Sequence, residues 1–341
     1  MSLIEEIREQ PEAATRFLDR QLPNVSAIGA AIRRRDPAFV FIAARGTSDH
    51  AAIYAQYAFG LRNRLPVALA APSMFSLYGE PPRLDHAAVI AISQSGTSPD
   101  IVAVVDDARR QGAPTVAITN DPASPLASAA EHVLPLEAGP ELATAATKTY
   151  ATQLLAIAAI SAAIAAEPEG ALRAVPGAIA AALTGEPRAE AFAQAHAGIT
   201  RAIVVGRGFE YATAREWALK LQELTYVLAH AWSSADFEHG PLALLEPGFP
   251  VLGIIANDVA GEALATLLRR IRDDHGADIT TISARHDIAD LDPIGAGSAL
   301  PTWLAPIASI VPGQLIAYHL ARTKGIDTER PRSISKVTKT R

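Results

Sequence analysis

Short apolar runs alternate with helical spacing over most of this chain. Residues 39–43, 67–70, 89–92, 116–119 and 132–136 are short, mostly apolar runs of strand length, bounded by turn-forming residues. The spacing between them predicts helices near 49–62, 99–111 and 147–165. A stretch carrying Pro, Gly and Glu, 167–188, breaks the pattern with polar interruptions and short helical segments. The alternation restarts with a strand at 202–205, a long helix from Glu210 to about Ala229, and a strand at 251–255. A helix at 262–275, a strand at 279–282 and a helix at 311–324 complete it. Strands separated by helices are the signature of parallel sheets covered by helices, so an α/β protein is expected.

The two halves look like a diverged internal repeat. Phe39-Val-Phe-Ile-Ala-Ala-Arg-Gly46 and Ala202-Ile-Val-Val-Gly-Arg-Gly208 both run from strand to Arg-Gly to helix. They differ in their polar turns. The strand at 89–92 runs into Ser93-Gln94-Ser95-Gly96-Thr97-Ser98-Pro99, where Gly96 permits a tight turn, Ser98 suits an N-cap and Pro99 the first helical position. Unpaired N–H groups and the partial positive charge of that helix end favour a dianionic phosphate by about 2 kcal/mol. An ordinary capped turn explains one serine and the proline, but not four hydroxyls and an amide within six positions. A second polar turn, Arg45-Gly46-Thr47-Ser48-Asp49, ends the first strand. Ligands of open parallel sheets gather at the carboxyl ends of strands where the strand order switches, so the two turns can converge on one anion. In the second half the strand at 251–255 leads instead to Ala256-Asn257-Asp258-Val259-Ala260, with an acid in place of serines, and should bind no phosphate.

Composition narrows the class. With 341 residues and 49% hydrophobic content the chain can bury a sizeable core and is expected to form two domains. A net charge of −6 argues against an extended nucleic-acid surface, and the absence of cysteine excludes disulfides, zinc–thiolate sites and cysteine nucleophiles. Residues 1–21 are charged and amphipathic with Pro11 among them, unlike a signal peptide. No run is long and apolar enough to span a bilayer, 151–166 coming nearest, so a cytoplasmic address is expected. His50, Asp49 and His86 lack a metal-binding spacing, and no P-loop occurs. Val205-Gly206-Arg207-Gly208-Phe209-Glu210 mimics the start of a dinucleotide fingerprint but lacks the third glycine. Glycines that let a helix start close to a sheet explain it better.

Six motifs carry a family resemblance: Arg45-Gly46-Thr47-Ser48, Ser93-Gln94-Ser95-Gly96, Ala145-Ala146-Thr147-Lys148, Leu219-Lys220-Leu221-Gln222-Glu223, His239-Gly240-Pro241-Leu242-Ala243-Leu244 and Ser335-Lys336-Val337-Thr338. In this order they resemble the sugar isomerase (SIS) domain family, in particular the isomerase half of glucosamine-6-phosphate synthase and the stand-alone SIS-type glucosamine-6-phosphate deaminases. The resemblance covers almost the whole chain after the first helix. It implies two SIS domains, each a Rossmann-like or flavodoxin-like three-layer sandwich, a sugar-phosphate ligand, no metal or redox cofactor, and a homodimer with a shared active site. The expected boundaries are an N-terminal helix over 1–25, a phosphosugar-binding domain over 26–185, a second domain over 186–326 and a closing tail over 327–341. Carried over by position, Gly46, Thr47, Ser48, Ser93, Gln94, Ser95, Ser98, Thr144 and Ala145 are expected to bind the sugar phosphate. Glu223 falls on the isomerising base, Lys220 on a neighbouring catalytic lysine, His239 on the ring-opening histidine, expected to serve the neighbouring subunit's site, and Lys336 on the tail lysine. Where the synthase carries a serine before its Thr-Lys pair this chain has Ala146, as the deaminases do. With no glutaminase domain or cysteine nucleophile in the sequence, ammonia from glutamine is not expected as the nitrogen source.

Residue types fit that chemistry. Converting an amino-aldose phosphate to a ketose phosphate needs ring opening, proton movement between C2 and C1, and imine hydrolysis; a histidine and a carboxylate cover the first two. Glu223 follows Lys220 by three residues, so their side chains share one helix face, and the ammonium can stabilise an enolate-like oxygen. Taken alone, the pair reads more simply as a helix-surface ion pair, His239 as a turn residue, and Lys336 with Lys339 and Arg341 as a solvated basic tail. His132 and His319 read the same way, as turn or surface residues. The expected activity is glucosamine-6-phosphate deamination to fructose 6-phosphate and ammonia, with no nucleic-acid or membrane partner. A synthase-type or other phosphosugar isomerase or deglycase is the enzymatic alternative, and a sugar-phosphate-sensing module the alternative of another class.

Overall fold

All strand pairings among the described residues are parallel, and they build two five-stranded sheets. The structure is a computed structural model that describes residues 2–297 and 300–336. The chain opens with α1 (Leu3–Arg8) and α2 (Gln10–Arg35), then β1 (Phe39–Ala43), α3 (Thr47–Asn63), β2 (Val67–Leu69) and α4 (Ser73–Ser76). β3 (Ala87–Ile92), α5 (Pro99–Arg110), β4 (Thr115–Thr119), α6 (Pro125–Ala129), β5 (His132–Pro135) and α7 (Lys148–Ile164) follow. After α8 (Val175–Leu183) and α9 (Glu186–Ala195) come β6 (Arg201–Gly206), α10 (Glu210–Thr225), β7 (Leu228–Ser233) and α11 (Ser234–Glu238). β8 (Pro250–Ile255), α12 (Val259–His275), β9 (Asp278–Ser283), β10 (Pro293–Gly295) and α13 (Ala305–Thr323) complete it.

The first sheet has the order β2-β1-β3-β4-β5 and the second β7-β6-β8-β9-β10, the same arrangement of equivalent strands. In each, the chain leaves its first strand for one edge and returns to the other side, which creates a switch point between β1 and β3 and between β6 and β8. The central strand β3 is buried at all six positions because helices cover both faces, whereas the three residues of edge strand β2 are at most half-buried. Phe41, Val89, Ile101, Val104 and Leu126 meet in one core; Ile203, Val251, Leu264, Leu268 and Ile271 form the other.

The chain divides into two compact units, each assembled from separate segments. One contains residues 2–11, Leu142–Thr147 and Ala174–Ile334; the other contains Glu12–Glu141, Lys148–Arg173, Ser335 and Lys336.

Several elements differ from the sequence expectation: the helix expected over 1–25 is two, α1 and α2, the second reaching Arg35, β10 is not foreseen, and β7 replaces the end of a helix. The helix expected to reach Ala229 stops at Thr225, where Tyr226 adopts a left-handed φ of 57°, and Leu228–Ser233 becomes β7. Alanine spacing mimicked a helix there. In the strand, Ala229 and Ala231 point inward while Leu228 and His230 face out, the period-2 pattern of an edge strand whose small residues line the core side.

Candidate active site

The serine turn occupies the switch point of the first sheet. β3 delivers Ser93 at its carboxyl end, beside the end of β1, which delivers Arg45 through Ser48. Gly96 has φ +62°, and a Cβ there would stand 2.1 Å from Ser124 Oγ and 3.0 Å from Thr119 Oγ1, so only glycine fits this turn. Its N–H donates to Ser93 Oγ at 3.1 Å, while Thr97 N–H donates to Ser95 Oγ at 3.3 Å and the two hydroxyls of Ser95 and Thr97 lie 2.9 Å apart. Ser98 stands at the N-cap position of α5 but, contrary to expectation, its side chain makes no capping hydrogen bond. Its backbone places the hydroxyl at the cap without turning it onto the helix. Gln153 Nε2 of α7 donates to Ser48 Oγ at 3.0 Å, and Arg45 Nε meets the buried Asp100 Oδ2 of α5 at 3.0 Å, anchoring the first turn on two helices. At the second switch point Asp258 Oδ1 accepts the Gly261 N–H at 2.9 Å, so a carboxylate of the chain itself fills the anion position of α12.

Helix α10 carries the predicted acid–base pair. Lys220 is fully buried, which alone would lower its pKa; Glu216 Oε1 at 3.3 Å and Glu223 Oε2 at 2.6 Å more than offset that and hold the ammonium above the usual lysine range. The Glu223 side chain retains 24% exposure against 1% for Lys220, so its carboxylate has an open side while one oxygen is pinned. The surface ion pair read from the residues alone is thus replaced by a buried clamp of three charges. A short distance away in sequence, Gly206 lets the helix begin against β6: a Cβ would meet Glu210 O at 2.3 Å. Glu210 itself is buried, which pushes its carboxyl up to about 7 despite hydrogen bonds from Thr213 Oγ1 at 2.5 Å and Ser309 Oγ at 2.9 Å.

The other predicted residues are distributed as follows. His239 is exposed at the carboxyl end of α11, its N–H donating to Asp236 O at 3.1 Å. Thr144 is half-buried and Ala145 buried, both in the segment Leu142–Thr147 that groups with the unit containing α10. Lys336 groups with the serine-turn unit and reaches Glu141 Oε2 at 2.7 Å. The rest of its tail motif, Val337 and Thr338, and likewise Lys339 and Arg341, lie outside the described residues. Among the described residues no group of three or more His, Asp or Glu side chains is placed to hold a metal ion, and no helix is long and apolar enough to cross a membrane.

Sequence reasoning missed Glu216, Asp100, Gln153 and Glu141. Glu216 was detectable, since it precedes Lys220 by four residues on the same helix face. The others act across long sequence separations, for which a single chain carries no signal.

The SIS domain family model matches residues 35–163 and 197–322. A glutamine–fructose-6-phosphate aminotransferase (isomerizing) from Caldanaerobacter subterraneus subsp. tengcongensis is 30% identical over 98% of this chain, which spans 58% of that relative's length. A crystal structure of a provisionally assigned phosphosugar isomerase from Silicibacter pomeroyi DSS-3 superposes with a TM-score of 0.88 at 38% identity, covering 96% of this chain and 100% of its own. The C-terminal domain of glucosamine-fructose-6-phosphate aminotransferase from Francisella tularensis superposes with a TM-score of 0.87 at 25% identity, over 96% of this chain and 98% of that one.

Proposed function

Because the chain belongs to the SIS domain family, we propose that it is a phosphosugar isomerase acting on amino sugars, which converts glucosamine 6-phosphate and water to fructose 6-phosphate and ammonia. The observation that carries this reading is the buried Lys220 held between Glu216 and Glu223, which fixes one oxygen of Glu223 and leaves the carboxylate open on its other side. A burial of this kind is costly for a lysine with no task beyond packing.

In the proposed reaction the hydroxyls of Ser93, Ser95 and Ser98 with the amino end of α5 hold the phosphate. His239 moves the proton from the anomeric hydroxyl to the ring oxygen and opens the ring. Glu223 removes the C2 proton of the aminoaldehyde and returns it to C1, the C1 oxygen gains a proton as the enolamine forms and the nitrogen gives one up as the imine forms, and the ammonium of Lys220 keeps the carboxylate aimed. Water then adds to the resulting C2 imine, and ammonia leaves as the ketone forms. Positioned acid–base groups of this type contribute about 10²–10⁴-fold each. Lys336 is read as the lysine that closes on bound sugar, and a homodimer as the working form.

The relatives support the isomerising half of this scheme, and the same groups run in reverse would make the amino sugar from fructose 6-phosphate. The test is to incubate the purified protein, without added metal, with a panel of aldose and aminoaldose 6-phosphates, and to measure ketose and ammonia. Formation of the amino sugar from fructose 6-phosphate and ammonium salts, with no net deamination, would favour the synthase-type reading. Tight sugar-phosphate binding with no turnover on any member would replace the enzyme by a sensing module.

A further inference from the structure

Glu141 lies between β5 and α7, and its carboxylate is completely buried. It accepts the Thr149 N–H at 3.1 Å and the Thr149 hydroxyl at 2.8 Å. Thr149 is the second residue of α7, so the acid sits at the positive end of a helix of seventeen residues. Its Oε2 also accepts from Lys336 Nζ at 2.7 Å, across 195 residues of sequence. The lysine side chain keeps 22% exposure and the carboxylate none, so the ammonium stands at the mouth of the contact and the acid inside it.

That asymmetry matters for what happens when the lysine moves. A buried carboxylate stripped of its cation is ordinarily strongly disfavoured. Here the two Thr149 hydrogen bonds and the helix end remain after the ammonium leaves, so the anion stays solvated by the protein and can recapture the lysine.

We propose that Glu141 is the positioning residue for Lys336: it parks the ammonium at a fixed point from which the side chain is delivered to bound sugar and to which it returns. The inference rests on the role given to Lys336 in the proposed function. Lysine has reach but no fixed geometry of its own, and an ammonium with no anchoring partner would be in place only part of the time.

The experiment reads the anchor and the activity separately. Intact protein is treated briefly with an amine-acetylating reagent, and acetylation of Lys336 relative to Lys324 is followed by peptide mass spectrometry. In Glu141→Gln the amide oxygen can still accept from Thr149, but the charge holding Lys336 is gone. Loss of a hydrogen bond between charged groups corresponds to labelling of Lys336 faster by about tenfold or more. With the wild type active on a sugar phosphate, kcat should fall about tenfold with KM little changed, and Glu141→Gln should add nothing in a Lys336→Ala background. Thermal melts of all variants, with Glu141→Asp as the charge-conserving rescue, exclude a loss through unfolding. Unchanged labelling of Lys336 in folded Glu141→Gln overturns the proposal whatever the activity. Faster labelling with kcat intact overturns it also. If the wild type turns over no sugar phosphate, the enzymatic reading fails, and the labelling still decides whether Glu141 anchors the lysine.

Discussion

Glu210 makes stability depend on pH in a direction opposite to most carboxylates. Burial at the start of α10 raises its pKa from an ordinary 4.5 to about 7, with the hydrogen bonds from Thr213 and Ser309 working against the rise and the charge of Asp258 adding to it. The folded state therefore holds a proton that the unfolded state releases above about pH 4.5, so stability falls as pH rises through the interval and levels off once the folded group has ionised near 7. The interval corresponds to about 3 kcal/mol, at 1.36 kcal/mol per pKa unit. Glu210→Gln imitates the protonated acid: one terminal group donates and the other accepts, which suits two hydroxyls that can rotate. The variant should match the wild type within about 1 kcal/mol at pH 5 and exceed it by about 3 kcal/mol at pH 8. Urea titrations followed by tryptophan fluorescence suit this test, because Trp217, Trp232 and Trp303, all the tryptophans of the chain, lie in the unit that contains Glu210. Taking the difference between the two proteins at each pH cancels the other titrating groups. A difference that stays constant from pH 5 to pH 8, or a variant less stable at pH 8, would refute the reasoning.

Glu223→Gln retains size and polarity but accepts no proton, so turnover should fall by about 10²-fold or more while affinity for the sugar phosphate, measured by calorimetry, changes little; near-normal turnover would remove Glu223 as the base. Gly96→Ala forces a Cβ against Ser124 at a left-handed backbone position and should cost about 2 kcal/mol in a urea titration, with sugar-phosphate binding lost at the same time; a fully stable variant that binds normally would show the turn to be plastic. If His239 serves a neighbouring subunit, mixing inactive Glu223→Gln with inactive His239→Ala should regenerate activity in hybrid dimers whose formation is checked by native mass spectrometry; verified hybrids without activity would return His239 to its own chain's site.

What the sequence disclosed follows the physics of each feature. The strand at 39–43 and the turn at 93–98 are local matters: an apolar run must be buried, and a glycine flanked by hydroxyls ahead of a proline has few other conformations. Their counterparts appear as β1 and the Gly96 turn. β7 escaped because alanine at its core-facing positions has no β preference and Tyr226, not glycine, takes the left-handed turn before it. The clamp around Lys220 was half legible: spacing put Glu223 beside the lysine, but only burial turns two acids and a lysine from a solvated stripe into a fixed arrangement. Asp100 under Arg45, Gln153 under Ser48 and Glu141 under Lys336 are second partners that hold a visible residue in place, and each is separated from it by at least 55 residues of sequence.

The interleaving of the two units has a consequence for the order in which the molecule can be built. Residues 2–11 leave the ribosome before residues 174–334, yet they belong to the same unit as that later segment. Leu3 N–H donates to Glu329 Oε1 at 3.0 Å, Gln10 Nε2 donates to Gln314 Oε1 at 2.8 Å, and Leu3, Glu6 and Ile7 are buried. Before α13 exists, α1 has the Leu142 and Ala143 N–H groups for Glu6 but lacks the helix it packs against, and a helix of six residues does not persist by itself in water. Residues 3–8 must therefore wait for residues 305–323, while β1 to β5, contiguous along the chain, can pair in the interim. Pulse-labelled hydrogen exchange during refolding should show the amides of 3–8 gaining protection together with those of 305–323, and later than those of 39–119.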